Sequence, residues 1–240
     1  MSTGFFKNLP NIAYDFKSDG NFTLAKDLFS KVGVWKNLQE GVIGYNWYRI
    51  KDTDRPDTIA TKLYGDATLY WLIFLVNEHM QDLNDWPKSG REFNRFIDRK
   101  YPGTCLIASS STDIVSSTSK FQLGEKVSQS ADTYGFVTHI DPTHNRITLN
   151  SVNGTFTTSG TATGSDSEKS FTISSVVTEK DTVNHYLDSD DIKTTVSTGN
   201  TPVSNIEHER NLNEDKFSIK YIQPEYRDKV VSEFRSLMRG

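Results

Sequence analysis

The sequence lacks the features that would point to a disulfide-stabilised secreted protein or a membrane protein. It has one cysteine in 240 residues, so it can form neither an intramolecular disulfide nor a multi-cysteine zinc site. No apolar run approaches the roughly 18–20 residues of a membrane-spanning helix. The first residues, MSTGFFKNLPN, are unlike a secretory signal, because a polar, proline-containing segment follows the two phenylalanines. We therefore expect a soluble protein with no membrane partner.

Positive charge and catalytic motifs are also lacking. Lys and Arg number 27 against 31 Asp and Glu, a formal net charge of −4, whereas a general nucleic-acid binder needs a basic face. The 5 histidines form no H-E-x-x-H pair. The sequence has no G-x-S-x-G, Walker A or G-x-G-x-x-G motif. We therefore predict no enzymatic activity, no catalytic residue, no cofactor, no metal site and no nucleic-acid partner.

Two local features have alternative interpretations. The acidic run LDSDD at residues 187–191 could hold calcium, but it lacks the ligand spacing and distal glutamate of a calcium loop, so a solvated turn is favoured. Cys105 has no predicted base partner, and an inert thiol is favoured over a nucleophile.

Residues 47–78, WYRIKDTDRPDTIATKLYGDATLYWLIFLVNE, organise the chain. Their aromatic and β-branched start predicts a short strand, and Asp54 is placed to cap the helix that follows. Gly65 ends that helix, and Asp66 caps a second one. The order is most of a β-α-α-β unit, so residues 79–87 should hold its closing strand or a remnant of it.

The second helix is apolar on every face. Burying one large apolar side chain is worth about 1.5–3 kcal/mol, so a second apolar face left in water would forgo several times that. Either the rest of this chain or another subunit must cover it. We predict that partner contacts are made by Trp71, Phe74 and Leu75.

The regions on either side of this unit carry further patterns. Residues 1–40 form an aromatic-rich arm that docks on the unit or on another chain, with a short helix at 23–32. Ser89 and Glu92 form a capping box, S-x-x-E, at the start of an amphipathic helix. We expect that helix to lie over Trp71.

The composition changes at Thr104. Residues 108–119, ASSSTDIVSSTS, predict a linker or an exposed loop. From 120 to 177, apolar and polar residues alternate in about five short runs separated by turns, which predicts a small β-barrel or sandwich that could be excised as a module. Residues 178–202 are polar and predict a connection.

The C-terminal segment predicts a strand near Ile219 and a helix that Pro224 opens. An amphipathic helix at a chain end is suited to binding a partner, although it can also pack on its own chain. On the first interpretation, Phe234→Asp leaves the chain folded but unable to assemble. The apolar stripe predicted to contact a partner consists of Tyr226, Val230, Phe234 and Leu237.

The strings RPDTIATKLYGD and LYWLIFLVNE, followed by DWP at 85–87, resemble the LysM-like baseplate wedge protein 53 family of T-even-type contractile-tailed phages. The resemblance covers residues 5–102 and, more weakly, the segment from Glu207. It implies a structural subunit that clamps the helical core built by neighbouring wedge proteins. It also implies a place next to the sheath-initiating subunit, six-fold symmetry in the virion baseplate, and assembly in the host cytoplasm.

The alternative function is a LysM-type module that binds peptidoglycan or another glycan in a groove between the strand and the second helix. No export signal, repeated LysM unit or hydrolase neighbour is present in the sequence, which favours the structural subunit.

The predicted fold class is α+β. We expect a LysM-like β-α-α-β module with flanking helices, an inserted all-β barrel or sandwich, and a C-terminal strand-helix arm. The predicted boundaries are 1–40 for the N-terminal arm, 41–103 for the LysM-like domain with its following helix, 104–178 for the inserted module, and 179–240 for the linker and arm.

Overall fold

The computed structural model describes residues 9–27, 44–80, 83–115 and 120–239. In these residues the chain combines α-helices with antiparallel β-sheets, so the predicted α+β class is confirmed.

The described strands, in chain order, are β1 (Asn11–Tyr14), β2 (Thr23–Lys26), β3 (Tyr45–Arg49), β4 (Thr104–Ile107), β5 (Lys126–Ser128), β6 (Tyr134–Asp141), β7 (Arg146–Asn153), β8 (Thr161–Gly164), β9 (Ser170–Thr172), β10 (Ser175–Thr178), β11 (Val183–Leu187), β12 (Lys193–Thr194), β13 (Thr201–Ser204) and β14 (Ser218–Ile222). The described α-helices are α1 (Pro56–Tyr64), α2 (Trp71–Val76), α3 (Gly90–Lys100), α4 (Ser111–Ile114), α5 (Asn205–Asp215) and α6 (Arg227–Arg239).

The chain divides into two compact units. Unit 1 comprises Met1–Lys88 and Asn213–Gly240, and unit 2 comprises Ser89–Leu212. The C-terminal strand and helix therefore belong to the same unit as the N-terminal part of the chain. The sequence-based boundaries separate these two segments, because local patterns carry no record of which distant segments pack together.

Unit 1 contains a two-stranded sheet whose strands come from opposite ends of the chain. β3 pairs with β14 in antiparallel register, from Tyr45 opposite Ile222 to Arg49 opposite Ser218. The expectation of a closing strand within residues 79–87 is therefore wrong. In that stretch the described residues Leu83–Asp85 form a short 3-10 helix. The closing strand is β14, whose Ile219 and Ile222 are fully buried, whereas the 83–85 stretch offers no comparable apolar alternation.

The helices of unit 1 follow the predicted order with one change at the first cap. α1 begins after Arg55, not Asp54, and its N-terminal bond runs from the Arg55 N–H to Thr58 Oγ1 at 2.9 Å. Gly65 ends α1 in the left-handed region, at φ 71°, as predicted. Asp66 accepts the Thr68 N–H at 2.8 Å and caps the 3-10 turn that leads into α2.

The N-terminal part of unit 1 is a hairpin where the sequence predicts a helix. Residues 23–26 form β2, which pairs with β1, and most of the remaining predicted helix lies outside the described residues. Asp15 fixes the turn by accepting N–H groups, including that of Gly20 at 2.8 Å. Backbone pairing across this turn therefore replaces the local helix.

The core of unit 1 has two parts. One lies around Ile59, Ile73 and Ile219, where α1 and α2 cover the two-stranded sheet. The other brings the remaining faces of α1 and α2 against α6. The buried α6 residues that contribute to it are Val230, Val231, Phe234 and Met238.

Unit 2 is built on a seven-stranded antiparallel sheet with the order β10-β4-β7-β6-β5-β8-β9. Its core includes Leu106, Ile147, Leu149 and Phe171. The predicted loop at 108–119 contains α4, whose Ile114 is fully buried in this core. A barrel or sandwich description of this sheet stays a prediction.

The polar stretch at 178–202 is not a plain connection. It contains the three-stranded sheet β12-β11-β13, which β-pairing holds despite the low apolar content. The acidic run at 187–191 forms a turn in which Asp188 accepts the N–H groups of Asp190 and Ile192, each at 2.9 Å.

The amphipathic helix predicted after Ser89 is present as α3. Ser89 is its N-cap residue, but its side chain makes no capping hydrogen bond, so that part of the predicted capping box is not formed. Phe93 and Ile97 are buried, and Lys100 donates to the buried carboxylate of Glu209 at 2.7 Å. α3 belongs to unit 2, and Trp71 belongs to unit 1, where residues of α6 pack against it. The expectation that α3 lies over Trp71 stays a prediction.

Candidate interaction site

Asn77, directly after α2, joins the helices to the two-stranded sheet. Its side-chain nitrogen donates to the carbonyls of Ile73 at 2.7 Å and Lys220 at 2.8 Å. Its side-chain oxygen accepts the Lys220 N–H at 2.9 Å. The amide therefore bonds both backbone groups of Lys220 as a neighbouring strand would. This buried contact attaches β14 to the end of α2.

Asp54 holds the loop between β3 and α1 in place by side-chain hydrogen bonds. Its buried carboxylate accepts Tyr48 OH at 2.6 Å, Lys62 Nζ at 2.7 Å and the Lys51 N–H at 3.0 Å. Burial alone raises the pKa of Asp54, but these three donors together lower it to about 2. Asp54 is therefore ionised in the folded chain at neutral pH and orders a tight loop.

Trp71 and Phe234, both predicted to contact a partner, contact each other. Their ring centroids lie 4.4 Å apart, and the residues are 5% and 4% exposed. Val230 is buried beside them. The second apolar face of α2 is thus covered by the chain's own C-terminal helix, which corrects the expectation that another subunit covers it. The physical reason is the pairing of β14 with β3, which brings α6 beside α2.

The other predicted contact residues are less buried. Phe74, Leu75 and Tyr226 are partly buried against the two parts of the unit 1 core, and Phe74 lies 6.2 Å from the Trp86 ring. Leu237 is 47% exposed. A partner contact by these four residues stays a prediction.

A groove of about 420 Å³ lies between the sheet and the end of α2. Trp47 is 65% exposed, and the Lys220 ammonium lies 5.2 Å from the centroid of its ring. The Tyr45 hydroxyl is buried with no hydrogen-bond partner among the described residues, and burial raises its pKa. The groove residues are Tyr45, Trp47, Val76, Asn77, Glu78, His79 and Lys220.

Residues 21–101 match the family model of base plate wedge protein 53. This segment is therefore similar to the base plate wedge protein 53 family. No curated protein matches the chain. The match indicates a structural role in the phage tail baseplate, in association with other baseplate proteins.

The wedge protein 53 segment covers about a third of the chain and includes Asp54, Asn77 and the Trp47 end of the groove. It does not include β14 or α6, which complete the sheet and the core around it. In this chain the family segment is therefore stabilised by residues far outside the match.

The hairpin of β1 and β2 is a candidate surface that the sequence-based site residues omit. Phe16 is 80% exposed and Leu24 is 82% exposed, and Tyr14 and Phe22 are also mostly exposed. The dipeptide Asp19-Gly20, a common hairpin signal between two short runs with β-forming residues, could have revealed it.

Neither Cys105 nor the acidic side chains of the described residues form a reactive or metal-binding site. Cys105 is fully buried, and burial raises the pKa of its thiol. Among the described residues, no group of three or more His, Cys, Asp or Glu side chains could hold a metal ion. In the same residues no single helix is long and apolar enough to cross a membrane, and only the pair Pro56–Tyr64 and Ala67–Val76, bent by 114°, passes on length and composition together.

Proposed function

We propose that the chain is a structural subunit of a contractile-tail baseplate wedge and acts by binding neighbouring wedge proteins. The observation that carries this proposal is the family match over residues 21–101. A contact role requires a stable frame and exposed binding surface rather than a reactive group. In unit 1 the hydrogen bonds of Asp54 and Asn77 provide the stable frame.

The β1–β2 hairpin has the properties expected of a partner-binding element. Leu9, at its base, is buried in the unit 1 core, and Lys26 Nζ donates to the Leu9 carbonyl at 2.8 Å. Beyond that anchor Phe16 and Leu24 are left in water. Covering one large apolar side chain is worth about 1.5–3 kcal/mol, and an isolated two-stranded hairpin is marginally stable. A partner that covers the tip would therefore gain affinity and order the hairpin.

The finer assignment extends the resemblance seen in the sequence. Two helices between two antiparallel strands support a LysM-like description of β3, α1, α2 and β14. We assign this module to clamping the helical core bundle of neighbouring wedge proteins, beside the sheath-initiating subunit, in six-fold copies that join wedges around the hub. Assembly takes place in the host cytoplasm. Of the predicted contact residues, Leu237 has the exposure that such a contact needs.

The test compares two exposed apolar residues replaced by aspartate. Phe16→Asp places a charge on the hairpin tip, and Ile192→Asp places one on a 61% exposed residue of unit 2. We expect Phe16→Asp to reduce the copy number in purified tails at least about ten-fold, because a charge in an apolar contact costs more than about 1.4 kcal/mol. Ile192→Asp should leave it within about two-fold. Quantitative mass spectrometry of tails measures both, and equal incorporation of the two variants would contradict hairpin docking.

The proposed location in the baseplate can be tested with the wild-type chain. Cryo-EM of the same tails should place it in the baseplate, and its absence from the particle would refute the wedge proposal.

A second candidate function is glycan binding, favoured by the groove beside Trp47. An exposed indole in a concave site with polar groups at its rim is suited to stacking on a sugar ring. Peptidoglycan pulldown with the wild type and Trp47→Ala decides it. On the wedge proposal neither is retained, whereas saturable retention lost in Trp47→Ala would favour glycan binding.

A further inference from the structure

We propose that the outer edge of β3 binds an extended segment of another baseplate protein, which adds a third strand to the two-stranded sheet. The inference rests on the proposed function, since it requires protein neighbours in an assembly. It concerns a backbone surface distinct from the hairpin tip.

The register of the sheet determines which backbone groups are free. Opposed residues in an antiparallel pair alternate between bonded and non-bonded positions. The Ile50 N–H, directly after β3, donates to the Phe217 carbonyl at 2.8 Å. The backbone N–H and C=O groups of the even-numbered residues of β3 therefore point toward β14. The residues whose N–H and C=O groups point away from β14 are Tyr45, Trp47 and Arg49.

The two edges of the sheet differ in how these groups are satisfied. On the β14 edge, Asn77 bonds both the N–H and the C=O of Lys220. Lys220 lies opposite Trp47 in the register. Among the residues that the structure describes, no comparable bond reaches the outward backbone groups of Tyr45, Trp47 or Arg49. Within the described part of the chain, a side-chain amide therefore bonds the β14 edge at Lys220, and the outward groups of β3 have no such bond.

The open edge is accessible. Trp47 is mostly exposed, and the Arg49 side chain is 76% exposed. β3 has no proline and pairs with β14 without a register shift, so two common devices that prevent strand addition are missing. The charge of Arg49 is a device of this kind that β3 does carry.

The chemistry of the edge defines its occupant. Outward donors and acceptors on alternate residues match another extended polypeptide, whereas a glycan or a nucleic acid offers no such repeat. Trp47 and Arg49 share one face of the sheet with Lys220. Arg49 forms an ion pair with exposed Glu214 at 3.5 Å. The incoming strand should therefore carry an apolar side chain beside Trp47 and an acidic one beside Arg49.

The first test separates the backbone from the side chain at position 49. Arg49→Pro removes the outward N–H, and a proline at an outward edge position leaves the bonds to β14 in place. Arg49→Ala removes the same side chain and keeps the N–H. Because one backbone hydrogen bond contributes about 0.5–1.5 kcal/mol, the proline variant should enter tails about two- to thirteen-fold less than the alanine variant. Equal incorporation of two folded variants would overturn the proposal.

Hydrogen exchange of the wild-type chain gives a test that does not depend on the proline variant folding. Amides of Trp47 and Arg49 should exchange rapidly in the free chain and slowly in assembled tails. Amides of Asn46 and Tyr48, which face β14, should be protected in both states and serve as the internal control. Rapid exchange at Trp47 and Arg49 in tails that contain the chain would overturn strand addition alone. Tails without the chain would overturn the wedge function, and this inference with it.

Discussion

The two units differ in how far apart in the sequence their paired strands lie. Unit 2 is one continuous segment, and its seven-stranded sheet forms within it. Unit 1 consists of two segments from opposite ends of the chain, joined by pairing of β3 with β14. Long-range pairing forms only after a costly loop closure. Unit 1 therefore depends on its C-terminal segment, whereas unit 2 contains its own partners.

The units can be followed separately by spectroscopy. All 4 tryptophans precede residue 88, so tryptophan fluorescence reports on unit 1. The large sheet belongs to unit 2 and dominates the β signal in circular dichroism. Each variant below tests whether disruption stays within one unit.

The largest expected effect comes from Phe234→Asp. Because Phe234 is buried against Trp71, we expect a loss of at least about 4 kcal/mol in the unfolding free energy of unit 1. This reverses the sequence-based expectation of a folded chain. Leu237→Asp, on an exposed position of the same helix, should cost less than about 1 kcal/mol. Urea titration followed by tryptophan fluorescence measures both, and similar midpoints for the two variants would contradict the packing of α6.

A comparable disruption of unit 2 is expected from Glu125→Ala. The buried Glu125 carboxylate accepts the N–H groups of Gln122 at 2.6 Å and Ser167 at 3.0 Å, and the Ser167 hydroxyl at 3.1 Å. Unpaired donors cost about 1–3 kcal/mol each, so we expect a loss of about 3 kcal/mol. The melting temperature followed by the β signal in circular dichroism should fall, whereas the unfolding transition followed by tryptophan fluorescence should not change. The exposed Asp132→Ala is the control; a shift in both signals would show that the units unfold together.

Acid should destabilise unit 1 through Asp54. Since its pKa is lowered from 3.8 to about 2, the stabilisation is complete above about pH 4 and is lost as the pH falls through about 2. We expect a contribution of about 2 kcal/mol. In urea titrations between pH 6 and pH 2, followed by tryptophan fluorescence, the unfolding free energy of the wild type should fall with pH. The fall should be smaller in Asp54→Asn. Equal slopes would contradict the assignment.

The smallest effect is expected from removing unit 2. Lys88 N–H donates to Asn213 Oδ1 at 2.8 Å, and Asn213 Nδ2 donates to the Lys88 carbonyl at 3.0 Å, so the two ends of unit 1 are adjacent. Replacing residues 89–212 by Gly-Ser should change the stability of unit 1 by about 1 kcal/mol or less. The excision must be wider than 120–177, because β4 lies inside the sheet. Loss of the native fluorescence would show that unit 1 needs unit 2.

Local signals predicted the elements between residues 47 and 78 well. Gly65 and Asp66 act through their own backbone neighbourhood, so their roles in ending α1 and capping the next turn are confirmed. Asp54 was predicted as a cap and is instead a loop anchor, because Tyr48 and Lys62 reach its carboxylate only in the folded unit. The groove beside Trp47 depends on Lys220, which no local pattern connects to it.

By itself, the sequence determined the α+β class, the order of β3, α1 and α2, the alternating strands of unit 2, and the resemblance to the wedge protein family. Only the tertiary structure decided that β14 closes the sheet, that Asn77 caps one of its edges, and that α6 covers Trp71. The first group depends on contacts between residues a few positions apart, which composition and spacing encode. The second depends on burial shared between distant segments, and an apolar stripe such as that of α6 has the same pattern whether its own chain or a partner covers it.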